Sequence, residues 1–213
     1  MAHPVQVDAA LSAHDLSVFD RAEKHLVRLQ SLHGDNNIVM TFNGICYGDH
    51  GHIFSAGHVR DGAVRFQALY DDGIVDLEVA AAPEGSSDVM LFSGGKPGST
   101  LLAETAHPGN TVYLAAFRPD DQAARRSKGA VTSRVIQGFH VDTHADFGWS
   151  GGIIVSPRGK LVGMVLGDTP QHIKQVNAMS AETMYICLRT STTRLDSRPD
   201  VTSCACTQLL SQR

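Results

Sequence analysis

From residue 37 onward the apolar positions fall in short β-rich runs, nearly all closed by turn residues: 38–42, 52–55, 63–70, 74–81, 89–92 and 111–117. After a polar stretch at 118–129 the runs resume at 130–136, 152–156, 161–166 and 184–188. Many short strands with few helical windows between them predict an all-β barrel or sandwich rather than a parallel α/β sheet. The exception comes first in the chain. Over residues 10–33, Leu11, Leu16, Phe19, Ala22, Leu26, Leu29 and Leu32 recur every three to five positions with charges between them. That spacing predicts one amphipathic helix, with Ser12 and Asp15 as its capping box and Gly34 as its stop. The 118–129 stretch either links two sets of strands or forms a long surface hairpin. Its Arg125, Arg126 and Lys128 read most simply as a solvated basic loop, with recognition or processing as the alternative.

Composition narrows the classes without choosing among them. The chain has 213 residues, 42% apolar and 19% charged, enough to bury a core, and its length suits one domain or two small lobes. The net charge of -4 gives no footprint for sequence-independent nucleic-acid binding. No run approaches a membrane span, and the first fifteen residues lack the layout of a signal peptide, so a soluble, intracellular protein is expected. Cys46, Cys187, Cys204 and Cys206 read as free thiols, which fits the same compartment. Despite 11 histidines there is no C-x-x-C or H-E-x-x-H, so neither metal nor cofactor is expected.

The chemistry concentrates in Gly148-Trp149-Ser150-Gly151-Gly152, just before an apolar run. Flanking glycines allow a tight turn that exposes a hydroxyl and aims successive N–H groups at one point, where an oxyanion can be held. A serine hydroxyl is a weak nucleophile, so it needs a base, and the base an orienting carboxylate. Upstream, Ser55-Ala56-Gly57-His58 ends one apolar strand and Ser87-Asp88-Val89-Met90-Leu91-Phe92 opens another. Asp72 and Asp76 are rival carboxylates, but Asp76 sits in an alternating run and reads as solvent-facing.

These three segments, in the order His, Asp, Ser, resemble those of the chymotrypsin-like serine proteases: S-A-G-H is similar to [ST]-A-x-H, S-D-V-M-L-F to a D-aliphatic-x-L strand, and G-W-S-G-G to G-x-S-G-G. The likeness covers about residues 37–190 and is nearest to compact viral polyprotein proteases of the sobemovirus and polerovirus type. It implies a double six-stranded β-barrel, here with an N-terminal α-helix: an extension over 1–36, a first barrel over 37–118 carrying His58 and Asp88, a second over 119–190 carrying Ser150, and a loose tail over 191–213. It also implies a cofactor-free serine endopeptidase acting on a polypeptide, for a viral member a polyprotein in the host cytoplasm. Ser150 would attack, His58 would move the proton, Asp88 would set the tautomer, and the N–H groups of Gly148 and Ser150 would form the oxyanion hole. Trp149 and Ile153 stand where cellular members usually carry Asp and Pro.

By the same resemblance His144 lies at the base of the substrate pocket, unless it bonds inside the second barrel, and Met164, Val165 and Gly167 form a pocket wall, with residues 177–181 adjoining. Glutamine-specific picornavirus-like relatives carry a histidine in that wall, where this chain has Met164 and Val165. No acid at the base disfavours Lys or Arg at the cleaved position, because a buried cation would lack its partner. A small or apolar side chain is expected there. G-x-S-x-G also marks α/β-hydrolases, but those need the order Ser, Asp, His and alternating helices; Asp168 and His172 follow Ser150 too closely together. A catalytically silent protease fold serving as an interaction module is the alternative from another class. The N-terminal helix is either a strut across a barrel or a contact for a neighbouring domain or second protomer.

Overall fold

The computed structural model describes residues 11–60, 62–81, 88–119, 123–145, 148–169 and 172–186. A helix, α1 (Ala13–Glu23), precedes twelve strands: β1 (Leu26–Leu32), β2 (Ile38–Tyr47), β3 (His52–Ala56), β4 (Arg65–Tyr70), β5 (Gly73–Ala81), β6 (Val89–Ser93), β7 (Thr111–Phe117), β8 (Ala124–Val135), β9 (Gly138–Val141), β10 (Ile153–Val155), β11 (Leu161–Thr169) and β12 (His172–Ser180). They close into two antiparallel barrels of six, in the orders β1-β2-β3-β6-β5-β4 and β10-β11-β12-β9-β8-β7. Closure leaves no edge strand unpaired in either barrel. The double-barrel architecture expected from the sequence is therefore the one observed.

Side-chain alternation along β7 shows how the barrels share their apolar surface. Val112, Leu114 and Ala116 face the second barrel's interior with Phe139, Val141 and Ile154. Tyr113 and Ala115 face the other way, joining a larger cluster that runs through the first barrel with Phe42, Phe54 and Phe92. Period-two alternation lets one strand serve both cores. Helix α1 seals this seam: Val18, Phe19 and Ala22 are buried, and Phe19 meets Tyr113 edge-on at 5.3 Å. Ser12 and Asp15 form the expected capping box.

Four expectations need correction. The predicted helix over 10–33 stops at Glu23, and Leu26–Leu32 is a strand that pairs with β2 and β4. Its leucines sit at helical spacing, but Val27, Leu29 and Ser31 are also buried at period two with Arg28 and Gln30 between them. Only pairing on both sides decides between those periods. The first barrel thus reaches back into the 1–36 extension. The border between barrels lies at 94–110, not at 118/119, because β7 pairs with β8 and β10. The 118–129 stretch is the β7–β8 hairpin, whose Arg126 binds Glu23 at 2.6 Å and Asp20 at 2.8 Å, while Lys128 reaches Asp15 at 2.8 Å. These cations staple α1 to the second barrel instead of lying loose, so the helix acts as a strut. Lastly, residues 181–186 are helical where a strand at 184–188 was expected; Met184 is fully buried and Tyr185 donates to the Leu101 carbonyl at 2.7 Å. The 191–213 tail and Cys187, Cys204 and Cys206 lie outside the described residues, and Cys46 is a buried free thiol whose pKa burial pushes up to about 11.

Candidate active site

His58 sits in a 3-10 turn, Gly57–Arg60, at the end of β3, and Asp88 immediately precedes the neighbouring strand β6. Because β3 and β6 pair antiparallel through Ala56 and Val89, the end of one strand meets the start of the other. The consequence is a double contact: Asp88 Oδ1 accepts the His58 backbone N–H at 2.7 Å, and Oδ2 lies 2.7 Å from Nδ1 of the ring. Burial alone pushes the Asp88 carboxyl up. The hydrogen bond and charge of His58, with the backbone N–H groups of His58 and Gly57, outweigh it and hold the pKa below the usual carboxylate value. An ionised carboxylate only accepts, so Nδ1 carries the proton. Nε2 of the neutral ring is then an acceptor.

That acceptor lies 2.9 Å from Ser150 Oγ. The hydroxyl also lies 3.2 Å from the Leu166 carbonyl on β11, the longer of its two outlets for one proton. Ser150 is carried by the loop before β10, which crosses the seam between barrels. Gly151 has φ +82°, and a Cβ there would stand 1.8 Å from the Asn43 carbonyl oxygen of β2. Only glycine tolerates that approach at that dihedral. Gly148 has φ +91°, with Pro119 where a Cβ would be. The loop is closed by Gly152 N–H on the Trp149 carbonyl at 2.8 Å and Gly151 N–H on the Val165 carbonyl at 2.9 Å. Neither the Gly148 nor the Ser150 N–H is taken by a described residue.

The structure thus brings together His58, Asp88, Ser150 and Gly148. It treats the expected substrate contacts unevenly. Met164 and Val165 are fully buried, one in each apolar cluster, so neither side chain walls an open pocket; as neighbours on β11 they alternate into opposite cores. Leu166 and Gly167 of that strand are partly exposed, and the Leu166 carbonyl is the one beside the serine. His144 is exposed. Asp76 is solvent-facing and binds Arg65 and Gln67, far from the histidine's role. Missed by the sequence reading was Asn43, a fully buried polar residue of β2 that touches the serine loop. Among the described residues no group of three or more His, Cys, Asp or Glu is placed to hold a metal ion.

No family model matches the chain, and no curated protein does. Solved structures do. A serine endoprotease from Yersinia pestis superposes with a TM-score of 0.75 at 17% identity, covering 89% of this chain and 70% of its own. An inactive serine-to-alanine mutant of Rv3671c from Mycobacterium tuberculosis H37Rv gives 0.69 at 17% identity, covering 93% and 98%. The fold is the chymotrypsin-like double β-barrel. In that frame His58 and Asp88 come from the first barrel and Ser150 from the second, with the three groups meeting at the seam.

Proposed function

We propose that this chain is a serine endopeptidase with His58, Asp88 and Ser150 as its catalytic triad. The observation that carries the reading is the unbroken line from Asp88 Oδ2 through the His58 ring to Ser150 Oγ, with contacts of 2.7 and 2.9 Å. Ser150 Oγ attacks the scissile carbonyl carbon as its proton passes to His58 Nε2. The imidazolium, steadied by Asp88, then protonates the leaving amine as the C–N bond breaks. Water, deprotonated by the same ring, attacks the acyl-enzyme and releases the acid. The tetrahedral oxyanion is held by the N–H groups of Gly148 and Ser150, each worth about 3 kcal/mol of barrier if removed.

The substrate in this reading is a polypeptide with a small or apolar residue at the cleaved position, near His144 and Gly167. A viral polyprotein, cut in the host cytoplasm, is favoured by the likeness of G-W-S-G-G and the motif order to compact viral proteases. The two bacterial neighbours support the protease reading only.

Fluorophosphonate labelling followed by peptide mass analysis tests the triad without a known substrate. The expected result is one adduct, on Ser150, absent in Ser150→Ala and His58→Ala. A folded wild-type protein that leaves Ser150 unlabelled overturns the reading in favour of a silent interaction module.

A further inference from the structure

Asn43 is polar, fully buried, and belongs to the first barrel, yet every hydrogen bond of its side chain goes to the second. Its Nδ2 donates to the Gly148 carbonyl at 2.7 Å and the Phe117 carbonyl at 3.1 Å, while Oδ1 accepts the Phe117 N–H at 2.7 Å. Its backbone is equally committed: the N–H donates to the Ser150 carbonyl at 2.9 Å, and the carbonyl accepts the Ser55 hydroxyl at 2.6 Å. Both amide protons and an acceptor site are used, so burying the Asn43 side chain at the seam leaves none of its own polar atoms unpaired.

The peptide planes show what this ordering does. A trans peptide is planar, so fixing a carbonyl fixes the N–H of the following residue on the opposite side. The carbonyls of Gly148 and Ser150 are held by Asn43, and that of Trp149 by Gly152, so three consecutive planes around the nucleophile are pinned. The middle plane carries the Ser150 N–H. The first limits rotation at Gly148, whose φ of +91° gives it glycine's freedom to turn over. Trp149 offers no charge to anchor the loop, and its indole is buried in the second barrel's core.

We infer that Asn43 is a positioning residue: a clamp from the first barrel that holds the Gly148–Ser150 loop in the conformation whose N–H groups can receive an oxyanion. The inference rests on the endopeptidase reading above. The clamp explains why the loop depends on the opposite barrel. Asn43→Asp is nearly isosteric and still accepts from Phe117, but it sets a carboxylate oxygen against the Gly148 carbonyl; Asn43→Ala removes all three side-chain bonds.

The test is fluorophosphonate labelling of wild type, Asn43→Ala and Asn43→Asp, resolved into saturation constant KI, maximal rate kinact and final stoichiometry, with the folded fraction measured by circular dichroism at the same temperature. Expected is a kinact lower by about 100-fold or more in both variants, the scale of a lost oxyanion donor. KI should stay within about threefold, because the clamp acts on the transition state and not on encounter. A merely structural role would instead lower the stoichiometry in step with the folded fraction while the folded molecules reacted at the wild-type kinact, and that overturns the clamp. Folded variants with unchanged kinact overturn it too, leaving the endopeptidase reading intact. A wild-type chain unlabelled at Ser150 removes both.

Discussion

The two barrels contribute to the site in different ways. The first presents His58 and Asp88 on a turn and a strand start that are locked by direct pairing of β3 with β6, so their geometry follows from the barrel's own ladder. The second presents Ser150 on a glycine-rich loop whose carbonyls are held largely by the other barrel, through Asn43. One half is self-supporting at the site and the other is borrowed. An acid–base pair needs a fixed tautomer, which a strand ladder supplies. In the proposed reading the serine loop must leave the Gly148 and Ser150 N–H groups open, so its anchoring across the seam falls on its carbonyls. Proximity and orientation at the seam follow from contacts that cross it.

The sharpest way to break this division is to disable the first barrel's electrostatics while leaving the second untouched. Asp88→Asn keeps the shape of the pair, but the amide can donate to Nδ1 and so leaves the proton on Nε2, where it blocks Ser150. A fall of about 10⁴-fold in the labelling or cleavage rate is expected, with little change in thermal stability. Rates should be compared at fixed pH beside unfolding curves. A loss below about tenfold would mean that the His58–Asp88 contact does not choose the tautomer.

The same division governs what could be read from the sequence. That His58, Asp88 and Ser150 would meet was legible because each lies at a strand border marked by local residues: a glycine before the histidine, an apolar run after the aspartate, glycines around the serine. The strands at 89–92 and 111–117 were placed almost to the residue, since their apolar runs are short and flanked by turns. Asn43 was not legible. It lies between Phe42 and Gly44 in a strand, and nothing local distinguishes a buried amide that crosses a seam from one that faces water. β1 was hidden by leucines that satisfy two periods, and β9 by having only four residues. Met164 and Val165 were misplaced because both faces of β11 are covered by apolar clusters there, and that covering comes from distant elements. What is written in neighbours along the chain is readable; what depends on pairing across the molecule is not.

A second comparison concerns packing. Phe54 is fully buried in the cluster that spans the seam, and Phe139 in the second barrel's interior. Truncating either to alanine costs about 3–5 kcal/mol, or roughly 6–20 °C in a domain of this size. Because Tyr113, Ala115 and Ile153 of the second barrel belong to the shared cluster, both variants should still unfold in one transition. Scanning calorimetry reads this directly. Two separated transitions, only one of them shifted by each variant, would show that the barrels are independent and that the seam is a weak contact.

The smallest effect tests how α1 joins the two halves. Ser12→Ala removes the side-chain cap on the Asp15 N–H and should cost about 1 kcal/mol. Asp15 itself is tied to Lys128 at 2.8 Å, to the Tyr113 hydroxyl at 2.6 Å and to the Ser12 N–H at 2.9 Å. The Lys128 contact leads these in holding its pKa far below the ordinary value. A group whose pKa is depressed on folding contributes its full stability above the unfolded value, about 3.9 for Asp, and loses it as pH falls toward the folded value. The melting temperatures of wild type and Asp15→Asn should therefore differ by a constant amount between about pH 5 and 8 and converge in more acid solution. Asp88 adds a decline of the same sign in wild type and variant alike, since its pKa is also lowered, so the difference between the two curves isolates Asp15. A gap that stays constant down to about pH 2 would mean that the helix is held by its apolar face alone, through Val18, Phe19 and Ala22, and that the ion pairs to β8 only decorate the strut.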